Sequence, residues 1–265
     1  MEYKTEILKN EPIIFDGSEE HVNPPQGLGK GFSGRNFQDY PMNCIGKESS
    51  CPIVPRDDWD AIISSMEKGK TFPSQYAKRL KLECINQGDT NFSWAAAAVY
   101  CVMFSRATHG LRNKALSTAS VGSTVKHFEN EPGCIIQAVE HICQFGIHSQ
   151  DNWPQDKIDM SYDVQSSSNE SKSNRVTEWY ELYPGNFDQL MSHLLHRIPV
   201  AVGYNWWSHA VVAVDPISLG GGEYGIRVRN SWGNNYGNEG YLILTEKKAS
   251  PDEAMAVATP VTPFI

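Results

Sequence analysis

From residue 93 to residue 104 almost every position is apolar: Trp94, four successive alanines (Ala95 to Ala98), Val99, Tyr100, Val102, Met103 and Phe104. A helix without a polar face belongs inside a folded body, and alanine both favours helix and lets neighbouring backbone approach closely. Two further stretches have helical periodicity: 135–145, closed by Gly146 as a C-cap, and 187–196, which stops before Pro199. The texture then changes. Residues 200–204, 210–214, 225–229 and 241–244 are β-rich runs punctuated by glycine. Helices first and antiparallel strands later predict an α+β protein with two lobes.

The flanks lack this order. Residues 16–57 are rich in Gly, Pro, Asn and Ser and show no sustained period, so they read as an extended arm. Asp57-Asp58-Trp59 then opens a short amphipathic helix near 57–67, with aspartates favourably placed at its N-terminus. Residues 166–174 form a polar low-complexity loop, and 249–265, with three prolines, reads as an extended tail. The expected organisation is an arm over 1–75, a globular domain over 76–248 (helical lobe about 76–165, β-rich lobe about 175–248) and a tail over 249–265. Both flanks are expected to pack in extended form on the globular body or on a neighbouring subunit, contributing little regular structure.

Composition narrows the function classes. The chain has 265 residues, 40% of them hydrophobic, which is ample for a buried core. A formal charge of -8 argues against nucleic acid and anionic membrane surfaces as partners. No apolar run approaches the roughly 18–20 residues needed to span a bilayer. The first residues, Met1-Glu2-Tyr3-Lys4-Thr5-Glu6, lack the basic-then-apolar pattern of a secretory signal, which favours a cytoplasmic or virion setting. The six cysteines (Cys44, Cys51, Cys84, Cys101, Cys134, Cys143) are too scattered for a disulfide scaffold and form no CxxC, so no metal and no cofactor are expected. Cys44 and Cys51 are close enough in sequence to bridge locally.

The candidate chemistry lies in Gln87, Ser93, His209 and Asn230, in that order along the chain. Ser93 opens the apolar helix, where free backbone N–H groups and the macrodipole favour a developing anion. The Gln87 amide could donate to an oxyanion beside the backbone N–H of residue 93. His209 would serve as base, and Asn230 would fix its tautomer and ring orientation, with Trp232 covering that bond. Each residue alone has a plainer reading: Ser93 as an N-cap, Gln87 as a turn residue, His209 as a satisfied core histidine, Asn230-Ser231-Trp232-Gly233 as an ordinary turn.

Together, four segments resemble the papain-like cysteine peptidases. Asn86-Gln87-Gly88 with Ser93-Trp94-Ala95 is similar to the family's nucleophile segment, with serine where the cysteine stands. Gly133, followed by a helix ending in Phe145-Gly146-Ile147, resembles the segment whose glycine pairs with substrate backbone. Ser208-His209-Ala210-Val211 resembles the strand carrying the base. Arg229-Asn230-Ser231-Trp232-Gly233, with Tyr236 to Tyr241, resembles the Asn-Ser-Trp-Gly segment and the turn after it. The resemblance spans about residues 80–246. It implies a papain-like two-lobed fold, with a central helix starting at Ser93 and a barrel-like antiparallel β lobe. It also implies catalytic positions Gln87, Ser93, His209 and Asn230, and substrate-binding positions Gly133 and Trp232.

Several positions depart from the family. Thr90 stands in place of a disulfide cysteine, Asn91-Phe92 replaces a small pair and brings a bulky ring towards the cleft, and Pro132 precedes Gly133 without an N–H to offer. The first 75 residues do not resemble the usual charged, helical inhibitory pro-segment. A serine hydroxyl is a far weaker acid than a thiol, which His⁺ and a helix terminus can drive to thiolate; papain itself is a standard example. The leading expectation is therefore an inactive pseudopeptidase that binds protein or peptide, or neighbouring subunits of an assembly. Residues 53–59, 175–179 and 205–207 are similar to papain-like proteins of bacteriophage and bacterial genomes, which points to a virion component. The alternatives are an active papain-like cysteine peptidase whose cysteine has been changed to serine, and a serine-using hydrolase.

Overall fold

The structure is a computed structural model describing residues 14–15, 24–165 and 169–258. The rest of the expected arm (1–13 and 16–23), of the polar loop (166–168) and of the tail (259–265) lies outside the described residues. The helices are α1 (Trp59–Gly69), α2 (Pro73–Arg79), α3 (Ser93–Thr108), α4 (Thr118–Val125), α5 (Ile135–Phe145), α6 (Asn169–Lys172), α7 (Phe187–Leu195) and α8 (Glu246–Ala249). The strands are β1 (Ile14–Phe15), β2 (Lys47–Glu48), β3 (Trp179–Leu182), β4 (Val200–Tyr204), β5 (His209–Gly220), β6 (Glu223–Arg229), β7 (Tyr241–Thr245) and β8 (Glu253–Val257). No described helix is long and apolar enough to cross a membrane.

The strands form one sheet in the order β1-β7-β6-β5-β4-β8-β3-β2. It is antiparallel through the middle, and its two-residue outer strands pair in parallel, Ile14 with Ile243 and Lys47 with Tyr180. Side chains alternate between two cores, as the two-residue period of a strand requires. On β5, Ala210, Val212 and Val214 face a core built with α3 and α5, while Val211 and Ala213 face a second core with α1 and α7. The helix α3 lies inside the first core: from Ser93 to Ala107 all side chains but Arg106 are buried. On α1 the buried positions Trp59, Ile63 and Met66 form one stripe. That helix starts at Trp59 because Arg56–Asp58 are wound into a 3-10 turn.

Two expectations about the flanks are corrected. Residues 250–258 are not a tail laid on the surface. Strand β8 sits between β4 and β3 and is buried along its whole length. Its Ala254 and Ala256 join one core and Met255 and Val257 the other. The arm also adds regular structure, with β1 and β2 at the sheet edges and α2 crossing the expected boundary at residue 75. Within the loop expected at 166–174, residues 169–172 are the short helix α6. All six cysteines are free, so Cys44 and Cys51 do not bridge.

Two buried carboxylates tie these flanks to the body. Glu181 on β3 pairs with Arg35 of the arm, both side chains 1% exposed, and accepts a 2.6 Å bond from the Asn43 N–H. Arg35 also donates to the carbonyls of Tyr40 and Pro41. Glu253 on β8 accepts 2.8 Å bonds from the N–H groups of Ile135 and Ile136 and so caps α5. Burial nonetheless pushes its carboxyl up from 4.5 to about 7, against the pull of those two bonds and of Arg35.

Arg35→Met leaves Glu181 buried without its countercharge and is expected to cost about 3–5 kcal/mol, as measured by urea unfolding. Removing both charges with Arg35→Met/Glu181→Leu should recover most of that loss. Between pH 4.5 and about 7 the native Glu253 holds its proton more tightly than the unfolded chain does. Its contribution to stability is therefore greatest below pH 4.5 and is lost as pH rises through about 7. In Glu253→Gln the difference in unfolding free energy between pH 5 and pH 7.5 should shift by on the order of 1–3 kcal/mol, removing that decline.

Candidate active site

The site is assembled where α3 begins. Phe92, not Ser93, is the N-cap, and no side-chain cap bond is present. Ser93 is thus free of the capping role its position suggests. Its Oγ instead accepts a 3.3 Å bond from the backbone N–H of Ala210, the residue after His209 on β5. This bond brings the helix start and the histidine strand together. The ring of His209 is joined through Nε2 to Asn230 Oδ1 at 2.8 Å. Because Oδ1 can only accept, Nε2 carries the proton and Nδ1 is the basic nitrogen. Nδ1 has no hydrogen-bond partner among the described residues, so no such bond joins it to Ser93. Trp232 stacks on the imidazole with centroids 4.5 Å apart, and Trp207 meets it edge-on at 4.9 Å.

Gln87 is also fully buried. Its amide oxygen accepts from Ser231 Oγ, which turns the NH₂ group inward. That group donates to the carbonyls of Thr90 (2.6 Å), Lys30 (3.0 Å) and Gly29 (3.2 Å). The backbone N–H of Ser93 also donates to the Lys30 carbonyl, at 3.0 Å. The two donors that would stabilise an oxyanion therefore converge on one oxygen of the arm.

The arm passes through the site as a strap over residues 29–33. Gly29 donates its N–H to Gly88 and accepts a 2.8 Å bond from Trp232 Nε1. Phe32 donates to the carbonyl of Ser208. Gly133, the position expected to pair with substrate backbone, donates to Gly31 and accepts from Ser33, both at 2.9 Å. Phe32 and Gly133 form a parallel bridge. Gly29 and Gly31 permit this approach: a Cβ on either would collide with the carbonyl oxygens of Thr90 and Asn91, respectively. Gly31 also has φ +112°, which disfavours any side chain. The Phe32 ring is buried in the first core, 4% exposed, and locks the strap in place.

Enclosure sets the electrostatics. His209 and Ser93 are both 0% exposed. Burial lowers the His209 pKa from 6.5 to about 3; the bond to Asn230 opposes this and the Lys30 charge reinforces it. Lys30 itself is lowered by burial. The imidazole is thus neutral at physiological pH and unable to supply a standing cation to residue 93.

Gln87, Ser93, His209 and Asn230 meet at one place, and Gly133 and Trp232 flank it through the strap. Phe92 does not enter the cleft as its size suggested. Its ring turns into the core against Gly122 and packs edge-on to Trp94 at 6.2 Å. What the sequence reading missed is the strap, together with Ser231 as the group orienting Gln87. The signal for the strap was the alternation Gly27, Gly29, Gly31, a spacing that suits close backbone contact. No group of three or more metal-ligating side chains occurs among the described residues.

Comparison with known proteins gives the same fold. No protein-family model matches the chain. The senescence-specific cysteine protease SAG12 of Arabidopsis thaliana is 28% identical over 184 residues, 60% of this chain and 51% of that protein. The chain therefore spans about half the length of the curated relative it matches. Digestive procathepsin L 3 of Tenebrio molitor larval midgut superposes with a TM-score of 0.61 at 18% identity, covering 90% of this chain and 77% of that one. Xylellain, a cysteine protease from Xylella fastidiosa, gives 0.61 at 16% identity, covering 89% and 98%. The chain has the papain-like cysteine peptidase fold.

The buried, neutral histidine gives a direct expectation. In proton–carbon NMR spectra, His209 should show no titration step between pH 8 and pH 5. The sign for stability follows from the lowered pKa. The unfolded chain binds this proton first, so stability present above pH 6.5 is lost as pH falls towards 3.

Proposed function

We propose that this protein is a papain-fold pseudopeptidase whose cleft is filled by its own N-terminal strap and which acts as a binding or assembly component. The observation that carries this reading is the Lys30 carbonyl, which accepts from both the Ser93 N–H and the Gln87 amide. A substrate carbonyl needs those same donors to develop charge. Serine at position 93 removes the group that the surroundings would best activate, since a hydroxyl needs concerted proton removal by a well-placed base. The base is neutral but makes no bond to Ser93. The strap also runs parallel to Gly133, a backbone arrangement held by the fold and not by a free ligand.

On this reading the partners are protein or peptide: neighbouring subunits of a larger assembly, such as a phage particle, in keeping with the likeness of residues 53–59, 175–179 and 205–207 to phage-associated proteins. A second reading, a latent peptidase that lacks only its cysteine, is favoured by the intact His209–Asn230 bond and the oriented Gln87.

Two substitutions separate these readings. Ser93→Cys alone should alkylate slowly with iodoacetamide, measured against the parent protein with its six other cysteines, because the strap covers the thiol. Adding Gly31→Val, which cannot keep the strap's backbone path, should raise that rate at least tenfold. Gly31→Val with Ser93 retained should cleave no peptide. Efficient cleavage by either Ser93 protein, abolished by His209→Ala, would make the chain a serine hydrolase and end the pseudopeptidase reading. Efficient cleavage by Ser93→Cys/Gly31→Val would support the latent peptidase.

A further inference from the structure

A groove of about 820 Å³, lined by none of the residues of the strapped cleft, opens between α2, the segment after it, and strands β6 and β7. Its size falls in the range of small-molecule sites. Four cationic side chains, Lys78, Lys81, Arg227 and Arg229, line it against the two carboxylates of Glu83 and Glu239, in a chain whose net charge is -8. Two of these charges are already matched. Arg227 pairs with the buried Asp215 at 2.5 Å, and exposed Lys78 reaches Glu239 at 3.6 Å.

Arg229 is different. It is 5% exposed, yet no carboxylate lies within ion-pair distance among the described residues. Its polar contacts are all to neutral groups: Nη1 donates to the Tyr241 hydroxyl at 2.7 Å and Nη2 to Asn234 Oδ1 at 3.3 Å, the Cys84 thiol lies within interaction range, and the Tyr241 ring faces the guanidinium at 4.4 Å. Burial works against the charge, yet an arginine guanidinium stays protonated inside a protein. The guanidinium is therefore a fixed cation. A buried cation without a countercharge is costly unless something supplies one. Arg229, Tyr241 and Asn234 all line this groove.

We propose that this groove binds an oxyanion group, a carboxylate or phosphate carried by a small organic molecule, with Arg229 as its principal contact. The planar fork of a guanidinium matches two oxygens of such a group, and Lys81 at the rim adds a second positive charge. Leu82 and Leu242 supply an apolar wall for the body of the ligand. Arg229 immediately precedes Asn230, but the site does not depend on the strapped cleft and stands whether or not the chain hydrolyses peptides.

The test is a titration of the full chain, followed by the ¹⁵N–¹H resonance of Arg229 Nε, with sodium phosphate, sodium acetate or sodium chloride at constant ionic strength. A saturable shift with phosphate or acetate, and none with chloride, is expected; the better of the two identifies the tetrahedral or planar group. Arg229→Gln should weaken binding at least tenfold when followed by calorimetry. Should that variant fail to fold, Lys81→Glu, at an exposed rim position, should still weaken binding severalfold with unchanged circular dichroism. Non-saturating shifts, equal shifts with chloride, or binding unchanged in whichever of these variants folds would overturn the proposal.

Discussion

The first turn of a buried helix carries backbone donors that have no partner within the helix, and water cannot reach them in a closed structure. Here the N–H of Ser93 faces that constraint at the centre of the molecule, with the inward-turned Gln87 amide beside it. One carbonyl oxygen, that of Lys30, satisfies both. The course of the arm, the burial of the histidine and the choice of small residues at 29 and 31 all follow from seating that carbonyl. An oxyanion site and a structural acceptor site have the same geometry, and here the Lys30 carbonyl occupies it.

The strap is held from both ends of its path. Upstream, Gly29 bonds to Gly88 and Trp232; downstream, Phe32 enters the core, Ser33 bonds to Gly133, and Arg35 pairs with Glu181 inside the sheet region. Each anchor lies on a different element of the fold, so releasing the strap exposes apolar surface and buried charge as well as peptide groups. Such a segment is a working part of the domain's stability. The same packing keeps His209 uncharged, with Nδ1 unpartnered among the described residues.

Much of this was legible in the sequence, and what was missed has physical causes. The all-apolar run from Ser93 marked α3 as central, and the four β-rich runs correspond to β4, β5, β6 and β7. The order Gln87, Ser93, His209, Asn230 carried the site because each residue type has a definite donor or acceptor role. Strand β8 escaped because Glu253-Ala254-Met255-Ala256-Val257 is alanine-rich, follows Pro251 and has weak intrinsic β-propensity. Its place between β4 and β3 is conferred by tertiary contacts. The strap escaped for a related reason. A glycine-rich segment without a period reads as surface loop, and only the three-dimensional path reveals that its glycines admit it to a crowded interior.

The central claim is that the arm's backbone fills the cleft in solution. Native-state hydrogen exchange at the amides of Ser93 and Gly133 measures this directly, because both donate to the strap, to Lys30 and Gly31 respectively. The account predicts protection of both amides comparable to that of the β5 interior, together with joint loss of protection in Gly31→Val. Exchange of both within seconds, as for amides lining a water-filled cleft, would contradict it.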